Sequence, residues 1–451
     1  MGMSPSETEE KASELFELRQ SERRDLDRKR AYLRGDPELT WLPANTPREL
    51  QALARMSRVN LCELAVKATS QQMFVDGYTS ENKAGASQVW RQWQSNRWDR
   101  KQIGVNRAIG GYGVAYGIAL PSDSSDTAVM RALSPRQITV AYGDDDDWPD
   151  YGLEMRPDKT WRLVDEENVY KMRRTTRGRR SSDGKRSITF EYVEETPHEQ
   201  DVCPVVRYLA EEDLDDPVRG DVEAVMPLQD QINLITFHLL VAEHYGAHGR
   251  KIFIGQMVEQ LEEQLRASAS SSLTVRAKPS DFDVKEVSQV QLDGFIDSRE
   301  SAVRYMSALS QTPTHELLGN LANISAEALV ESKESNARKV RERQIIVGEG
   351  HEQLLGQAGR LVGVEVDPGA RVRWKPTLDQ RAMRFVELLG TIAGKLGVPK
   401  KALWHELPFS DDTIKEWEEM AEEQAAAAPP PPQREQQDQP EGDQRNNLAA
   451  V

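Results

Sequence analysis

The sequence predicts an α+β fold in which helices precede and follow one long block of strands. From residue 129 to residue 208 apolar and polar side chains alternate, as in Ile188-Thr-Phe-Glu-Tyr-Val193, which is typical of strands. Helical periodicity precedes this block and returns at Asp221, where apolar residues recur every three or four positions. Because 451 residues exceed one ordinary domain, we expect two or more structural units.

The chain is predicted to begin with three helical regions. They cover residues 5–31, residues 47–73 and the short segment marked by Trp90, Trp93 and Trp98. A turn at Asp76-Gly77 is expected to close the second region. The glycine-spaced segment 104–117 lacks the Gly-Lys-Ser/Thr ending that places a lysine on a phosphate, so we interpret its glycines as sites of close backbone packing.

Two of the predicted strands are joined by a long hairpin with a basic tip. Segment 173–186 holds seven lysines and arginines, opposed only by Asp183. Two interpretations stay open: a solvated loop, or a site of phosphate contact, which needs clustered cations and no base recognition. The candidate contact residues are Arg173, Arg174, Arg177, Arg179, Arg180, Lys185 and Arg186.

After the strands, a helix is predicted from Asp221 to the glycines at 246–249. Residues 251–292 then form a mixed insert. Its predicted parts are a strand at 251–254, a short helix at 258–265, and strand-like segments around Val275 and Val284. A further helix is predicted over residues 295–309.

Residues 311–324 are predicted to form a flexible, nearly uncharged loop, followed by a long polar helix that runs to about Leu355. Ser325 can cap the first turn of this helix, and Glu327 places an acid at the positive end of its dipole. The helix has no wide apolar stripe, so we expect it to need neighbours, which would be copies of the same chain. Gly348 and Gly350 suggest a kink or a stop.

The C-terminal part is predicted to hold two more helices, near residues 378–394 and 403–423. After Glu423 the chain becomes a proline run and then a segment rich in Gln, Asp and Glu, which cannot bury a core. We expect a disordered tail there.

Composition narrows the class of function. The chain has 58 basic and 74 acidic residues and a net charge of −16, which argues against general nucleic-acid binding by phosphate neutralisation. Such a chain can still handle DNA without gripping it, since repulsion keeps a polyanion mobile. Cys62 and Cys203 form no metal spacing and no disulfide framework, which fits a reducing cytosol. The acidic start is no signal peptide and no apolar run approaches ~20 residues, so we expect a soluble protein made in the cytoplasm.

Other candidate chemistry is weaker. The run Asp144–Asp147 offers carboxylates to a hard cation, and a metal-dependent nuclease is the enzyme alternative that it would support, but adjacent residues cannot all converge on one ion. His244 and His248 have the spacing of one helical face, without a glutamate between them. Cys62 has no base partner in the sequence. We therefore expect an exposed acidic turn, a solvated or capping histidine and a packed cysteine, with no cofactor, no metal and no catalytic residue.

In their shared order, several segments resemble the portal proteins of tailed double-stranded DNA bacteriophages, the head-to-tail connectors, in the long-tailed class. The resemblance covers about residues 31–423. Its motifs are Tyr32-Leu-Arg-Gly35, Arg58-Val-Asn60, Met73-Phe-Val-Asp-Gly77, Trp93-Gln-Ser-Asn96, Ala108–Tyr116, Ser134-Pro135, Pro204–Tyr208, Gly220-Asp-Val-Glu with Leu228-Gln-Asp-Gln-Ile-Asn233, and Ile324-Ser-Ala-Glu-Ala-Leu329. Asp221 departs from the family, which has a serine there.

The resemblance implies a portal fold with a mixed α/β wing, a helical stem, a small α/β clip and a helical crown. The implied regions are an N-terminal helical arm (1–30), wing (31–220, with the basic hairpin 173–186), stem helices (221–248 and 294–310), clip (249–293), tunnel loop (311–324), long helix and wing return (325–377), crown (378–423) and disordered tail (424–451).

The resemblance also implies a function. Twelve copies would form a ring at one capsid vertex, through which double-stranded DNA is packaged and ejected. Implied partners are the terminase large subunit, the head-tail adaptor, the major capsid protein and the scaffolding protein, with assembly in the host cytoplasm and residence in the virion, and no membrane. The basic hairpin would contact DNA or capsid, and the tunnel loop would face DNA through Thr312, Thr314, His315, Glu316, Asn320 and Asn323. A minor head or adaptor protein is the structural alternative.

Overall fold

The computed structural model of the chain describes residues 2–143, 147–177, 187–215, 217–246, 251–254, 273–275, 283–286, 291–319, 326–375, 380–397, 403–404, 414–415 and 417–421. The chain divides into two compact units, Met1–Thr377 and Leu378–Val451. No helix among the described residues is long and apolar enough to cross a membrane.

The helices lie on both sides of the strand block, as the sequence predicts. They are α1 (Pro5–Leu33), α2 (Arg48–Met56), α3 (Leu61–Ser70), α4 (Lys83–Ser95), α5 (Trp98–Tyr112), α6 (Asp221–Gly246), α7 (Asp293–Ser310), α8 (Thr314–Leu318), α9 (Ala326–Leu361) and, in the second unit, α10 (Gln380–Leu396). Helix α1 starts with a capping box, because the Ser4 hydroxyl accepts from the Glu7 amide and the Glu7 carboxylate accepts from the Ser4 amide.

Within the part of the chain that the structure describes, the strands form four small sheets. They are β1 (Val75–Thr79), β2 (Val114–Pro121), β3 (Ala128–Leu133), β4 (Ile138–Ala141), β5 (Tyr151–Met155), β6 (Trp161–Val164), β7 (Asn168–Arg177), β8 (Ser187–Pro197), β9 (Val205–Leu209), β10 (Lys251–Ile254), β11 (Leu273–Val275), β12 (Asp283–Glu286) and β13 (Arg371–Trp374). The sheet orders are β4-β5-β6-β7-β8, β3-β2-β9, β11-β10-β12 and β1-β13.

Most neighbouring strands among the described residues pair antiparallel, and a parallel pair lies in the insert. The five-stranded sheet is a meander in which each strand pairs antiparallel with the next. Strand β2 pairs antiparallel with both β3 and β9. In the insert, β10 pairs parallel with β11 and antiparallel with β12. The predicted strands of the insert are thus confirmed, while its predicted helix at 258–265 lies outside the described residues.

Each sheet is covered by particular helices. Helix α1 packs Leu15 and Phe16 on the five-stranded sheet, where the Phe16 ring meets the rings of Trp161 and Phe190 at centroid distances of 5.5 and 5.6 Å. The three-stranded sheet β3-β2-β9 packs against α4, α5 and α9 in the largest core cluster. A separate cluster joins α3, α6, α7 and α8.

Two helix predictions in the N-terminal part are wrong in their boundaries. Residues 47–73 form two helices, because the chain breaks after α2 and Asn60 starts α3 by accepting a hydrogen bond from the Glu63 amide. The tryptophan-marked region also forms two helices, separated at Arg97, whose φ of 54° is left-handed. The predicted turn at Asp76-Gly77 lies inside β1, which pairs with β13 from the far end of the unit.

The glycine-spaced segment forms the end of α5 and the start of β2, and most of its glycines lie against other groups. A Cβ on Gly111 would lie 2.6 Å from the Leu33 side chain, and one on Gly117 would lie 3.1 Å from Leu354. Gly104 has open space around it. The packing interpretation is therefore confirmed for the later glycines and wrong for Gly104.

The long polar helix α9 does not behave as predicted. It passes through Gly348 and Gly350 without a break and ends at Leu361. Its C-terminal half also has a core within the chain, since the following side chains are buried: Val340, Val347, Leu354, Leu355 and Ala358. The expectation that this helix lacks a private core is wrong for that half.

The second unit holds α10 and short helical stretches around Trp404 and Trp417, whose ring centroids lie 6.2 Å apart. Helix α10 confirms the helix predicted near residues 378–394. The predicted tail after Glu423 lies outside the described residues.

Candidate functional site

Three motif segments that are distant in sequence meet at the N-terminal half of α6. The Gln229 side chain accepts a hydrogen bond from the Leu61 amide at 3.0 Å and donates one to the Val59 carbonyl. Asn233, one turn later, accepts from the Val59 amide at 3.1 Å. These amides lie at and just before the start of α3, where the intrahelical backbone hydrogen bonds are missing. The side chains of 228–233 therefore fasten α6 to α3.

The end of α1 is tied to the same part of α6. The Tyr32 hydroxyl donates to the Asp230 carboxylate at 2.6 Å, and Lys29 forms an ion pair with Glu223 at 2.8 Å. Burial and the neighbouring Asp230 carboxylate raise the pKa of the Tyr32 phenol, so it remains a donor. Helix α6 thus starts in a polar framework built by α1 and α3.

Asp221, the first residue of α6, is buried in an ion-pair cluster with α9. Its two carboxylate oxygens accept from the two terminal nitrogens of Arg343 at 2.8 and 3.0 Å, and Lys339 Nζ lies 2.8 Å from Oδ1. Arg343 also donates to the Ala210 carbonyl at the end of β9. Burial alone would raise the pKa of Asp221, but Arg343 and Lys339 outweigh it and hold that pKa below its usual range. We call these three residues the clamp.

Lys339 extends the clamp to the end of α7. Its ammonium group donates to the Ser310 carbonyl at 3.0 Å, and Asn336 on the same helix donates to the Gln311 carbonyl at 3.1 Å. Helix α9 therefore holds both the start of α6 and the end of α7. Sequence reasoning noted Asp221 only as a departure from serine, because its partners lie more than a hundred residues away.

A close backbone approach brings the glycine motifs together at the same place. Gly113 has a φ of 93°, and a Cβ there would lie 2.6 Å from the Val218 carbonyl oxygen. A Cβ on Gly220 would lie 2.7 Å from the Gly113 nitrogen. Only glycine fits at both positions. The two glycines allow the backbone at the end of α5 to contact the backbone just before α6.

Helices α6 and α7 run antiparallel, because the start of α6 packs on the end of α7. Val222, Val225 and Met226 share a core cluster with Ala302 and Met306. After Asn233, however, none of the side chains of α6 is buried within the chain, although this half is rich in apolar residues: Leu234, Ile235, Phe237, Leu239, Leu240 and Val241. On α7, large apolar side chains are exposed: Ile296 (42%), Tyr305 (65%) and Leu309 (61%). The helices that lack a sufficient apolar core within the chain are therefore α6 and α7, whereas the sequence predicted this of α9.

The first half of the predicted tunnel loop is anchored. Residues 314–318 form helix α8, so the prediction of a flexible loop is wrong there. Ser307 on α7 donates to the Thr312 carbonyl at 2.7 Å, and its hydroxyl lies 2.7 Å from the Thr314 hydroxyl. Leu317 is buried in the α3–α6–α7 cluster.

These contacts divide the six side chains expected to face DNA. Thr312 is only 2% exposed and Thr314 is bonded to α7, so both hold the base of the segment. His315 is half-buried and Glu316 is exposed at the surface of α8. Asn320 and Asn323 lie outside the described residues.

The basic hairpin is present as the strand pair β7–β8, whose last described partners are Arg177 and Ser187. The Arg173 side chain is exposed, whereas the Arg174 guanidinium lies over the Phe16 ring at 5.2 Å from its centroid. The other candidate cations of the tip lie outside the described residues: Arg179, Arg180, Lys185 and Arg186.

The remaining candidates for chemistry occupy structural positions. Of the acidic run only Asp147 is described, and no group of three or more metal-capable side chains occurs among the described residues. His244 contacts the Glu49 carboxylate at 2.5 Å, and His248 lies outside the described residues. Cys62 is fully buried beside Gln229, as predicted, and burial raises the pKa of its thiol to about 12.

Comparison with known families gives one match over nearly the whole chain. The family model described as "Phage portal protein, SPP1 Gp6-like" matches residues 14–430. The chain belongs to this family of phage portal proteins. The family was expected from the ordered motifs, and that expectation is confirmed. The curated proteins yield no significant match.

Among the solved structures that match the chain are chains of gene transfer agent particles. A chain of the virion of the native gene transfer agent particle matches with 16% identity and a TM-score of 0.47, over 82% of this chain and 96% of that chain. A chain of the neck of the native particle, computed with C12 symmetry, matches with 17% identity and a TM-score of 0.44, over the same shares. The neck of the empty particle, computed with C6 symmetry, matches with 15% identity and a TM-score of 0.42, again over 82% and 96%.

Proposed function

We propose that twelve copies of this chain form a ring at one capsid vertex and that double-stranded DNA enters and leaves the capsid through its centre. The observation that carries the proposal is the portal-family match from residue 14 to residue 430. The role is structural: the chain provides a conduit and docking surfaces and catalyses no reaction.

The α6–α7 pair supports assembly into a ring. Both helices carry apolar side chains that a single chain leaves half-buried or exposed, including Phe237, Tyr305 and Leu309. Patches of this kind mark protein–protein contacts, since burying apolar surface contributes roughly 25 cal/mol per Å². Copies of the same pair around an axis would cover one another, which makes this pair the stem of each subunit.

The charge of the stem supports passage of DNA. Helix α6 contains four acidic residues and no lysine or arginine; Asp221 and Glu223 are paired with cations of α9 and α1, which leaves Asp230 and Glu243 to contribute negative charge. A conduit must not hold what it passes, and acidic walls repel phosphates over about 10 Å at ordinary salt. The segment after α8 also lacks cations, so weak contacts from residues 311–324 can break and re-form as the duplex moves.

The remaining regions are proposed by analogy with the portal family to which the chain belongs. The insert with sheet β11-β10-β12, between α6 and α7, is the clip that meets the terminase large subunit and later the head-tail adaptor. The sheets between β1 and β9 form the wing, which faces the major capsid and scaffolding proteins, and residues 378–423 belong to the crown. The ring would assemble in the host cytoplasm and remain in the virion.

The test is the particle formed by the purified full-length chain. Electron micrographs and mass photometry are expected to show rings of about twelve subunits with an axial hole, the number that the proposal requires. Replacing Tyr305 and Leu309 by serine should shift the mass towards monomers without changing the circular dichroism spectrum. Met56→Ser, an equally exposed position on α2, is the control. A wild-type protein that stays monomeric or forms particles without a hole would overturn the proposal.

A further inference from the structure

An arginine-lined cavity of about 410 Å³ lies between α1 and the segment that leads from β3 into β4. The polar side chains that line it are Arg19, Arg23, Arg30, Ser134, Arg136 and Gln137. Arg19, Arg23 and Arg30 recur at helical spacing, which places them on one face of α1. Arg136 faces them from the other wall. Four cations thus surround one cavity in a chain with a net charge of −16.

The acidic residues nearby leave much of this charge without a partner. Asp27 forms ion pairs with Arg136 at 2.5 Å and with Arg23 at 3.5 Å. Among the described residues, no carboxylate lies within ion-pair distance of Arg19 or Arg30. Two guanidinium groups at the cavity wall therefore have no carboxylate counter-charge and can attract an incoming anion.

Arg19 carries the strongest evidence that the cavity is built for a ligand. Its side chain is only 5% exposed, and its Nη1 has no hydrogen-bond partner. The other terminal nitrogen donates to the Arg136 carbonyl, and the guanidinium lies 5.7 Å from the centroid of the Trp161 ring. A buried charged donor without an acceptor is costly, so such a group calls for a partner.

The like charges in the cavity also act on one another. Burial lowers the pKa of the Arg19 guanidinium, and repulsion from Arg23 and Arg136 lowers that pKa further, against the opposing attraction of Glu22 and Asp27. An anion in the cavity would relieve the repulsion and accept from Nη1 at the same time. Planar guanidinium forks match the oxygen pairs of phosphate, which favours arginine over lysine in such sites.

We propose that this cavity binds a tetrahedral oxyanion of the phosphate class. Arg19 supplies its unpartnered Nη1 and Arg30 its guanidinium group, Arg23 and Arg136 add positive charge, and Ser134 and Gln137 supply uncharged polar atoms. The phosphate is either free inorganic phosphate or a backbone phosphate of duplex DNA, and both offer the same oxygens to the arginines.

The experiment is a thermal melt of the full-length chain in which phosphate replaces chloride at constant ionic strength. Phosphate is expected to raise the melting temperature of the wild type with saturation. In Arg30→Gln, a position away from the Trp161 contact, the half-saturating concentration should rise by at least about tenfold, because charge-assisted hydrogen bonds are lost. Arg19→Lys keeps the positive charge but lacks the guanidinium group, and its half-saturating phosphate concentration should rise by a similar factor. The control is Arg24→Gln, an exposed position on α1 outside the cavity.

Short duplex DNA then distinguishes the two sources of phosphate. A duplex that displaces inorganic phosphate in the wild type and not in Arg30→Gln assigns the site to the DNA backbone, and a duplex without effect assigns it to free phosphate. Either result supports the site. An equal phosphate response in the wild type and Arg30→Gln, or no response beyond that of chloride, overturns it whether or not the protein forms rings.

Discussion

Arg343 on α9 donates two hydrogen bonds to the buried carboxylate of Asp221, the first residue of α6. This bidentate pair joins the long helix to the proposed stem, and Lys339 carries the same link to the end of α7. The clamp therefore fixes the base of both stem helices and of the segment that follows them. A serine in place of Asp221 would leave both cations uncompensated.

Removing the negative charge of the clamp should destabilise the subunit. We expect Asp221→Asn to cost roughly 3–5 kcal/mol of unfolding free energy, because Arg343 and Lys339 would remain buried without a counter-charge. Chemical denaturation followed by circular dichroism measures the loss. Arg338→Gln, an exposed position on the same helix, should stay within about 0.5 kcal/mol of the wild type. If Asp221→Asn behaves like that control, the clamp contributes no stability.

Two glycines of α9 should respond to alanine in opposite directions. A Cβ at Gly350 would lie 2.7 Å from the Tyr208 ring, so Gly350→Ala is expected to cost about 1–3 kcal/mol through overpacking. At Gly348 the nearest atoms lie 3.5 Å away, and alanine should stabilise the helix by up to about 1 kcal/mol. The two melting temperatures, measured side by side, check the prediction. Equal shifts for the two variants would contradict it.

His351 should make the fold sensitive to acid. Its Nδ1 accepts from the Tyr208 hydroxyl at 3.1 Å and from the Trp98 indole at 3.4 Å, and burial lowers its pKa from 6.5 to about 3. Between these values the unfolded chain binds a proton that the folded chain does not. The contribution of His351 to stability is thus complete above pH 6.5 and is lost as the pH falls towards 3, by at most about 1.4 kcal/mol per pH unit.

The measurement is the melting temperature of the wild type and of His351→Gln across this pH range. Other groups titrate in both proteins, so the informative quantity is their difference, which should shrink or reverse as the pH falls. His238→Gln, at an exposed position on α6, serves as the control. Parallel curves for the wild type and His351→Gln would rule out the proposed role.

The segment after α8 should matter for DNA and not for folding of the subunit. Leu317 is part of a core cluster, so a deletion must spare it. Removing residues 319–323 is expected to reduce packaging and retention of DNA while the ring still forms. A variant in which glycine and serine replace these residues keeps the length of the segment and removes the Asn320 and Asn323 side chains. It therefore distinguishes an effect of segment length from an effect of those side chains. Unchanged packaging in the deletion variant would refute the assignment of this loop.

The basic hairpin is the second expected contact with DNA or capsid. Replacing its arginines by glutamine is expected to reduce the yield of filled particles, with a loss of about 0.5–1 kcal/mol in subunit stability from the Arg174–Phe16 contact. The five positions are Arg173, Arg174, Arg177, Arg179 and Arg180. A control with equal charge change replaces five exposed cations of the α4–α5 region: Lys83, Arg91, Arg97, Arg100 and Arg107. A wild-type yield from the hairpin variant would favour a solvated loop.

Local sequence patterns predicted the elements well, and long-range contacts explain the errors. The alternation around Phe190 and the periodicity from Asp221 correspond to β8 and α6. The break before α3 was missed because α2 ends at Met56 and Asn60 caps α3 within an otherwise continuous apolar periodicity. No local signal could show that Asp221 would meet Arg343, since that contact exists only after folding.

The low average hydropathy of α9 led to the wrong prediction that this helix has no core within the chain. Its buried residues Val340, Val347 and Leu354 lie seven apart, so they form a narrow seam that contributes little to the average hydropathy of a helix. Glycines that suggested a break instead permit close contact with Tyr208 and the strands. The proposed anion cavity was missed for a related reason, because Arg136 joins the α1 arginines only in the folded chain.

Both cysteines of the chain are buried, with Cys62 fully enclosed and Cys203 only 1% exposed. Burial raises the pKa of both thiols, so the reactive thiolate is scarce at neutral pH. A cysteine introduced at the exposed Ser301 of α7 would therefore be the one thiol per subunit that a maleimide labels readily. A fluorophore or a crosslinker can therefore be attached to each proposed stem without first removing a native cysteine. With a crosslinker, the number of subunits that become covalently joined reports how many copies are neighbours.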